Sequence, residues 1–282
     1  MQTYSTSNTL LSAIAAAAAL SLAACGGGGG DDGGTNAPAA VTPPPAPPIT
    51  TQGTAPAVTA DPLAVVFVPH TETATRAVLQ SIAHAAFPTL LQKATSEGAF
   101  TQIGIDAASL ITLSGGKVVD VAGNGDFAIG RWTDGSSSIG NVSVNQGDHY
   151  AVGKPLKLLQ NMTLQSDLSV GPKLACTAMA STSPTAVSGN FAPGRLNSAS
   201  AVIDMGGPFL QAIYIDVSVG SDAHATASVS STILNGVTQS NGVLQHVQTF
   251  GTLQSSPYLA FGYAMSTPNS GDVTGVVVLR CH

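Results

Sequence analysis

Few side chains in this sequence have the type and spacing that catalysis requires. His70 and Glu72 match the His-x-Glu element of zinc deaminases, but the Pro-Cys-x-x-Cys element that those enzymes also need is missing, so we interpret the match as coincidental. The sequence also contains no Gly-x-Ser-x-Gly, His-Glu-x-x-His or phosphate-loop motif. We therefore predict a protein that is not an enzyme and that holds no cofactor.

Weak candidates for ligand binding are His224, His246 and Trp132. The two histidines fall in neighbouring predicted strands, which can bring imidazoles within reach of a metal or haem, but no third ligand accompanies them and both also suit polar, solvent-facing positions. The tryptophan suits a ligand-stacking role or, more simply, a buried strand end. Three aspartates lack calcium-loop spacing and are explained by Asx turns, so no metal site is predicted: Asp126, Asp134 and Asp148.

The N-terminus predicts where the protein resides. Residues 10–24 form an apolar run of about fifteen residues, too short for a membrane-spanning helix and typical of a signal peptide. The run ends in Leu-Ala-Ala-Cys, which resembles the lipobox of bacterial lipoproteins and implies lipidation of Cys25. The segment before the run has no Lys or Arg, which departs from the usual signal peptide. An ordinary secretory signal, with Cys25 incidental, is the alternative.

A tether and an envelope location follow from that resemblance. We predict a lipoprotein signal peptide over 1–24 and a disordered Gly/Pro-rich tether over 25–60. Gly26 stands where enteric lipoproteins retained in the inner membrane carry Asp, so the resemblance implies an outer-membrane destination. Whether the protein faces the periplasm or the cell surface is left open.

The other two cysteines predict a disulfide. Cys176 and Cys281 form one pair in an exported chain, where pairing is the simplest outcome. Closing a loop of about 100 residues stabilises a fold by about 4 to 5 kcal/mol on the chain-entropy model. If the two residues lie in an early and a late strand of a barrel, the bond joins the strands at its seam.

The periodicity of the remaining chain predicts a mainly β fold preceded by a small mixed α/β segment. Residues 63–68 form an apolar strand, and an amphipathic helix is predicted from the spacing of Leu79, Ile82, Ala83, Ala86, Phe87 and Leu90. Alternating segments bounded by turn residues then predict an antiparallel barrel or sandwich, with strands at 126–132, 137–144, 173–180, 197–204, 210–219, 223–233, 243–251, 257–266 and 273–281.

Two short motifs add a family resemblance. Gly130-Arg131-Trp132, then His149–Gly153 with Pro155 soon after, is similar to a run in the barrel domains related to transferrin-binding protein B. The resemblance covers about residues 120–282 and implies an eight-stranded antiparallel β-barrel over 121–282, preceded by a handle-like helix-plus-strand segment over 61–120. It also implies binding through loops, with a host protein, an envelope protein or an iron- or haem-related ligand as partner.

The charge content narrows the class of protein. Only 9% of the 282 residues are charged, with 9 basic against 15 acidic, which excludes a nucleic-acid binder. An integral outer-membrane barrel would need a lipid-facing apolar band that the Ser/Thr-rich strand faces do not supply. We therefore expect a lipid-anchored binding module at the outer membrane. The alternative is a periplasm-facing structural or accessory lipoprotein with no soluble ligand.

Overall fold

The computed structural model describes residues 48–160 and 172–282. The predicted signal peptide, Cys25 and residues 26–47 of the predicted tether lie outside the described residues. The described part consists of β-strands, turns and one 3-10 helix at Thr89–Leu91, and it contains no α-helix. The prediction of a mainly β protein is confirmed.

The strands form two curled sheets, each with nine members. The first sheet contains β1 (Ile49–Gly53), β2 (Leu63–Val68), β3 (Ile82–Phe87), β4 (Lys93–Ala94), β5 (Phe100–Ile103), β6 (Ile111–Gly123), β7 (Phe127–Ser137), β8 (Gly140–Val142) and β9 (Asp148–Gly153). The second contains β10 (Lys173–Ser181), β11 (Thr185–Ala186), β12 (Arg195–Asp204), β13 (Phe209–Val219), β14 (Asp222–Thr232), β15 (Gly236–Ser240), β16 (Val243–Phe250), β17 (Tyr258–Thr267) and β18 (Gly271–Cys281).

The first sheet has the order β3-β2-β9-β7-β6-β5-β4, with β8 beside β7 and β1 beside β6. β1 pairs with β6 in parallel, and it falls inside the stretch that we predicted as tether. Its residues alternate between half-buried and exposed over positions 49–52, as expected for a strand with one face on the sheet, beside the thirteen-residue β6. The predicted boundary at residue 120 falls inside β6, and the sheet continues to Gly153.

The predicted helix is wrong. Residues 82–87 form β3, which pairs with β2 in an antiparallel ladder. Leu79 and Leu90, the ends of the predicted helical stripe, are 95% and 82% exposed. β2 is buried on both faces, so both of its backbone edges need partners; β9 pairs with one edge and β3 with the other. This tertiary requirement overrides the helical spacing.

The second sheet has the order β14-β13-β12-β10-β18-β17-β16-β15, with β11 beside β18. It is a half-barrel, and the predicted closed eight-stranded barrel is not formed. The terminal strands β14 and β15 share no backbone pairing in the described part of the chain. Side chains meet there instead, with the Thr232 and Thr238 hydroxyls 3.0 Å apart.

The predicted disulfide is confirmed. Cys176 and Cys281 lie directly opposite each other on β10 and β18, with their Cα atoms 3.9 Å apart. These are the first and last strands of the second sheet, and the bond spans 105 positions of sequence. The bond therefore links the first and last strands of this sheet, which are neighbours in the middle of its strand order.

Most of the core falls into three apolar clusters, and a fourth, small one contains Ala186, Val219 and Val273. One of the three large clusters is formed by side chains of the second sheet and includes the disulfide. Another fills the first sheet around Phe67, Trp132 and Tyr150. The third lies between the sheets and joins residues of β2 to residues of β16, β17 and β18. β2 alternates between the last two clusters, which explains why Leu63–Val68 is apolar at every position.

Candidate functional site

An apolar cleft of about 580 Å³ opens beside β3. One wall is formed by residues 79–84 and Phe87, and the other by Ile105, residues 108–111 and Ser138. Val237 of β15 closes part of the cleft. The volume falls in the range of small-molecule and peptide side-chain pockets, which is about 300 to 1,000 Å³. Two other hollows of the described chain are as large, but their linings contain charged side chains (Arg195 and Asp222 in one, Lys157 in the other), so we choose the apolar cleft beside β3 as the candidate binding site.

The opposite wall is shaped by a short loop between β5 and β6. Asp106 accepts hydrogen bonds at Oδ1 from the backbone N–H groups of Ala108 and Ser109, each 2.9 Å long, in an Asx turn. Hydrogen bonds from the Ser109 side chain and the Ala108 backbone lower the pKa of Asp106. Gly104 precedes this turn, and a Cβ there would lie 2.4 Å from Leu110 Cδ2. The glycine therefore lets Leu110 pack toward the cleft.

The cleft is continuous with the core of the first sheet. Ile82, Phe87 and Ile111 line the cleft and also belong to the apolar cluster around Trp132. The described lining contains no Asp, Glu, Lys or Arg, and its polar groups are two amide or imidazole side chains and three serines. A group that enters the cleft therefore gains free energy by burying apolar surface, and an ionic group finds no counter-charge there.

A buried polar segment, which we call the clasp (residues 70–74), fixes the wall that carries β3. His70 contacts Asp148 of β9 twice, through its backbone N–H at 2.8 Å and its Nδ1 at 2.7 Å. Glu72 lies 3.0 Å from His246 Nε2 of β16, and both side chains have no exposed surface. The Ala74 N–H donates to Asp272 Oδ2 of β18 at 3.2 Å. The clasp thus joins the first sheet to the second just before the chain enters the cleft wall.

A second polar contact between the sheets involves His149. Its Nδ1 lies 2.8 Å from Thr182 Oγ1 and its Nε2 lies 2.9 Å from Thr185 Oγ1. Burial, with the nearby charges of Arg131 and His70, holds the pKa of His149 well below its ordinary value near 6.5. The imidazole is therefore neutral at neutral pH, and the two threonine hydroxyls satisfy both of its nitrogens.

The polar cluster does not have the arrangement of a catalytic triad. Ser137 Oγ lies 3.3 Å from Asp148 Oδ2, while His70 contacts the other oxygen of the same carboxylate. A nucleophilic serine needs the imidazole as its neighbour, because the imidazole takes its proton. Within the described residues there is also no group of three His, Cys, Asp or Glu side chains that could hold a metal ion.

The two candidate histidines lie apart. His224 is on β14, exposed, and its Nδ1 lies 2.8 Å from Asp216 Oδ2. His246 is fully buried on β16 and belongs to the clasp. β14 lies at one end of the strand order, whereas β16 and then β15 lie at the other end, so β14 and β16 are not neighbours in the sheet. The structure therefore does not bring these imidazoles together for a metal or haem.

The remaining candidates have structural partners. Trp132 is fully buried, and its Nε1 donates to the Phe100 carbonyl at 2.7 Å. Asp126 pairs with Lys154 at 2.8 Å, and Asp134 pairs with Lys117 at 2.8 Å, at separate places on the surface. Cys25 lies outside the described residues, and its lipidation stays a prediction.

The two family-like motifs lie side by side on paired strands. Gly130 is opposite Tyr150 in the β7–β9 ladder, and a Cβ on this glycine would lie 2.3 Å from the tyrosine hydroxyl oxygen. That hydroxyl accepts a hydrogen bond from the Phe100 N–H at 3.0 Å, and burial raises the pKa of Tyr150. Together with Trp132, the motifs hold β5 by both backbone groups of Phe100, so packing explains their residues.

No family model matches this chain, and neither the curated proteins nor the solved structures compared with it gave a match. The similarity to the transferrin-binding protein B barrels therefore rests on the two short motifs. Among the described residues, no helix is long and apolar enough to cross a membrane.

The clasp predicts strong coupling between Glu72 and His246. Replacing either residue alone by Leu leaves the other polar group buried without its partner, and we expect each single variant to lose about 3 to 5 kcal/mol of unfolding free energy. The variant that carries both substitutions should lose less than either single variant, because an apolar pair needs no compensating partner. Denaturant unfolding measures all four proteins. Additive losses would show that the two side chains do not interact.

His149 predicts a pH dependence of stability. In the folded chain its pKa lies well below 6.5, so below about pH 6.5 the unfolded chain binds a proton that the folded chain does not. The unfolding free energy should therefore fall with decreasing pH, by up to about 1.4 kcal/mol per pH unit from this group. His149→Gln removes the titrating group and should flatten the profile between pH 6.5 and 5. A profile unchanged by that substitution would contradict this assignment.

Proposed function

We propose that this chain is a lipid-anchored envelope protein of the outer membrane, and that it binds a partner or ligand through the cleft beside β3. The lipobox at Cys25 and the Gly/Pro-rich stretch after it support the anchor. The observation that carries the binding function is the cleft itself, which is apolar, uncharged and continuous with the core. Proteins seldom leave such surface open without a binding role.

This proposal differs from binding through loops at the ends of a barrel. The inward side chains of the second sheet pack against one another in one apolar cluster. The cleft lies in the first sheet instead, between β3 and the loop before β6. Only the family resemblance suggests transferrin, iron or haem as a ligand. We therefore do not propose them.

The anchor predicts a membrane association that depends on one sulfur atom. Wild-type protein expressed in a bacterium should require detergent for extraction, and mass spectrometry should find acyl chains on the N-terminal cysteine of the mature chain. Cys25→Ser should abolish both properties, whereas Cys176→Ser, which removes a disulfide partner, should leave acylation intact. An unmodified wild-type N-terminus would exclude the lipoprotein assignment.

The cleft predicts a loss of binding when a charge is placed at its rim. Leu79 is 95% exposed, so Leu79→Glu should fold normally. Affinity capture from bacterial envelope extract and from host serum should recover a protein on wild type but at least tenfold less on Leu79→Glu, a loss of about 1.4 kcal/mol or more. Leu253→Glu changes an exposed leucine outside the cleft and serves as the control.

Two outcomes would contradict the cleft assignment. Equal capture by wild type, Leu79→Glu and Leu253→Glu would place any binding elsewhere on the surface. Absence of a captured component, together with full protection of the protein from protease added to intact cells, would favour the alternative, a periplasm-facing structural lipoprotein.

A further inference from the structure

β3 is an edge strand with an unpaired side. It forms a ladder only with β2, and no backbone hydrogen bond on its other side is found in the described part of the chain. Residues 81–84 all line the cleft, although successive side chains of a strand point to opposite faces. The cleft therefore runs along the edge of β3, where the free N–H and C=O groups lie.

Within its own six residues, β3 carries none of the charged residues or prolines that usually protect an edge strand. Natural edge strands carry Lys, Pro, inward-facing charges or a covering loop. β3 has the sequence IAHAAF, with no Lys, Pro, Asp or Glu, and the exposed residues His84 and Ala86 are small or uncharged. The edge strand β14 of the second sheet is approached by other residues, since the Asn241 amide lies 3.5 Å from the Ser228 carbonyl oxygen. Of the four terminal strands of the two sheets, β3, β4, β14 and β15, β3 is the one whose residues line the cleft most fully.

The facing wall limits what can pair with β3. Ile105, Leu110 and Ile111 line the same cleft as β3, so a chain that pairs with the free edge of β3 would lie against their apolar side chains. The apolar lining suits apolar side chains on that chain, and the absence of charge in the lining disfavours ionic ones. β3 has six residues, which corresponds to a paired segment of about 20 Å.

We propose that the cleft binds an extended, uncharged peptide segment of another protein by strand addition to β3. The proposal rests on the cleft being the binding site and adds the chemical class of its occupant. Main-chain hydrogen bonds to the free edge of β3 supply pairing, and the apolar wall around Leu110 selects apolar side chains at alternate positions. The bound segment extends the first sheet by one strand at its open side.

The test uses a phage-displayed library of random dodecapeptides, selected on the full chain in detergent. We expect enriched peptides that are uncharged over five or six residues and apolar at alternate positions. A synthetic peptide of the enriched sequence should slow hydrogen exchange of backbone amides in residues 82–87 at least tenfold. His84→Lys should weaken that peptide at least tenfold, whereas Ala223→Lys, at an exposed alanine of β14, should not.

The outcomes separate this inference from the proposed function. Peptides or captured partners that require Leu79 but leave the β3 amides unprotected would overturn strand addition and leave the cleft as the binding site. Selected peptides that are charged, or that bind His84→Lys and wild type equally, would also overturn it. A dimer of the full chain that His84→Lys dissociates would assign the edge to a second copy instead. Binding that never requires Leu79 would contradict both proposals.

Discussion

The structure depends on the burial of β2 on both of its faces. Leu63, Val65 and Phe67 point into the core of the first sheet, while Ala64, Val66 and Val68 point into the layer between the sheets. A strand in this position cannot leave its backbone edges unpaired, because water does not reach them. This constraint forces residues 82–87 into a strand and brings the second sheet against the first. It thereby creates both the inter-sheet layer and the edge at which the cleft forms.

The clasp, which follows β2, passes through that buried layer and carries polar side chains there. His70, Glu72 and the Ala74 backbone find partners on β9, β16 and β18, so each contact joins different strands of the two sheets. Unpaired polar groups at this depth would be costly, and the pairing makes one relative position of the sheets favourable over others. The clasp therefore fixes the geometry of the wall that follows it.

The two half-barrels differ in the contacts that join their strands. In the second sheet, β10 and β18 are neighbours joined by the disulfide, and the Thr232 and Thr238 hydroxyls meet between β14 and β15. In the first sheet, the Gln92 side-chain amide donates to the carbonyl oxygens of Pro88, after β3, and Gly104, after β5. Beside these contacts, apolar side chains of β3 and of the loop before β6 line a cleft. This cleft is the physical basis of the proposed binding role.

The sequence by itself determined the β class, most strands of the second sheet and the pairing of Cys176 with Cys281, because alternation and cysteine number are local or countable properties. It did not determine the fate of residues 79–90, whose apolar spacing fits a helix in isolation. It also did not reveal that Glu72 and His246, 174 positions apart, share one buried contact. Only the tertiary structure decided these points, because each depends on which distant strand lies beside a residue, and burial at β2 settled that choice.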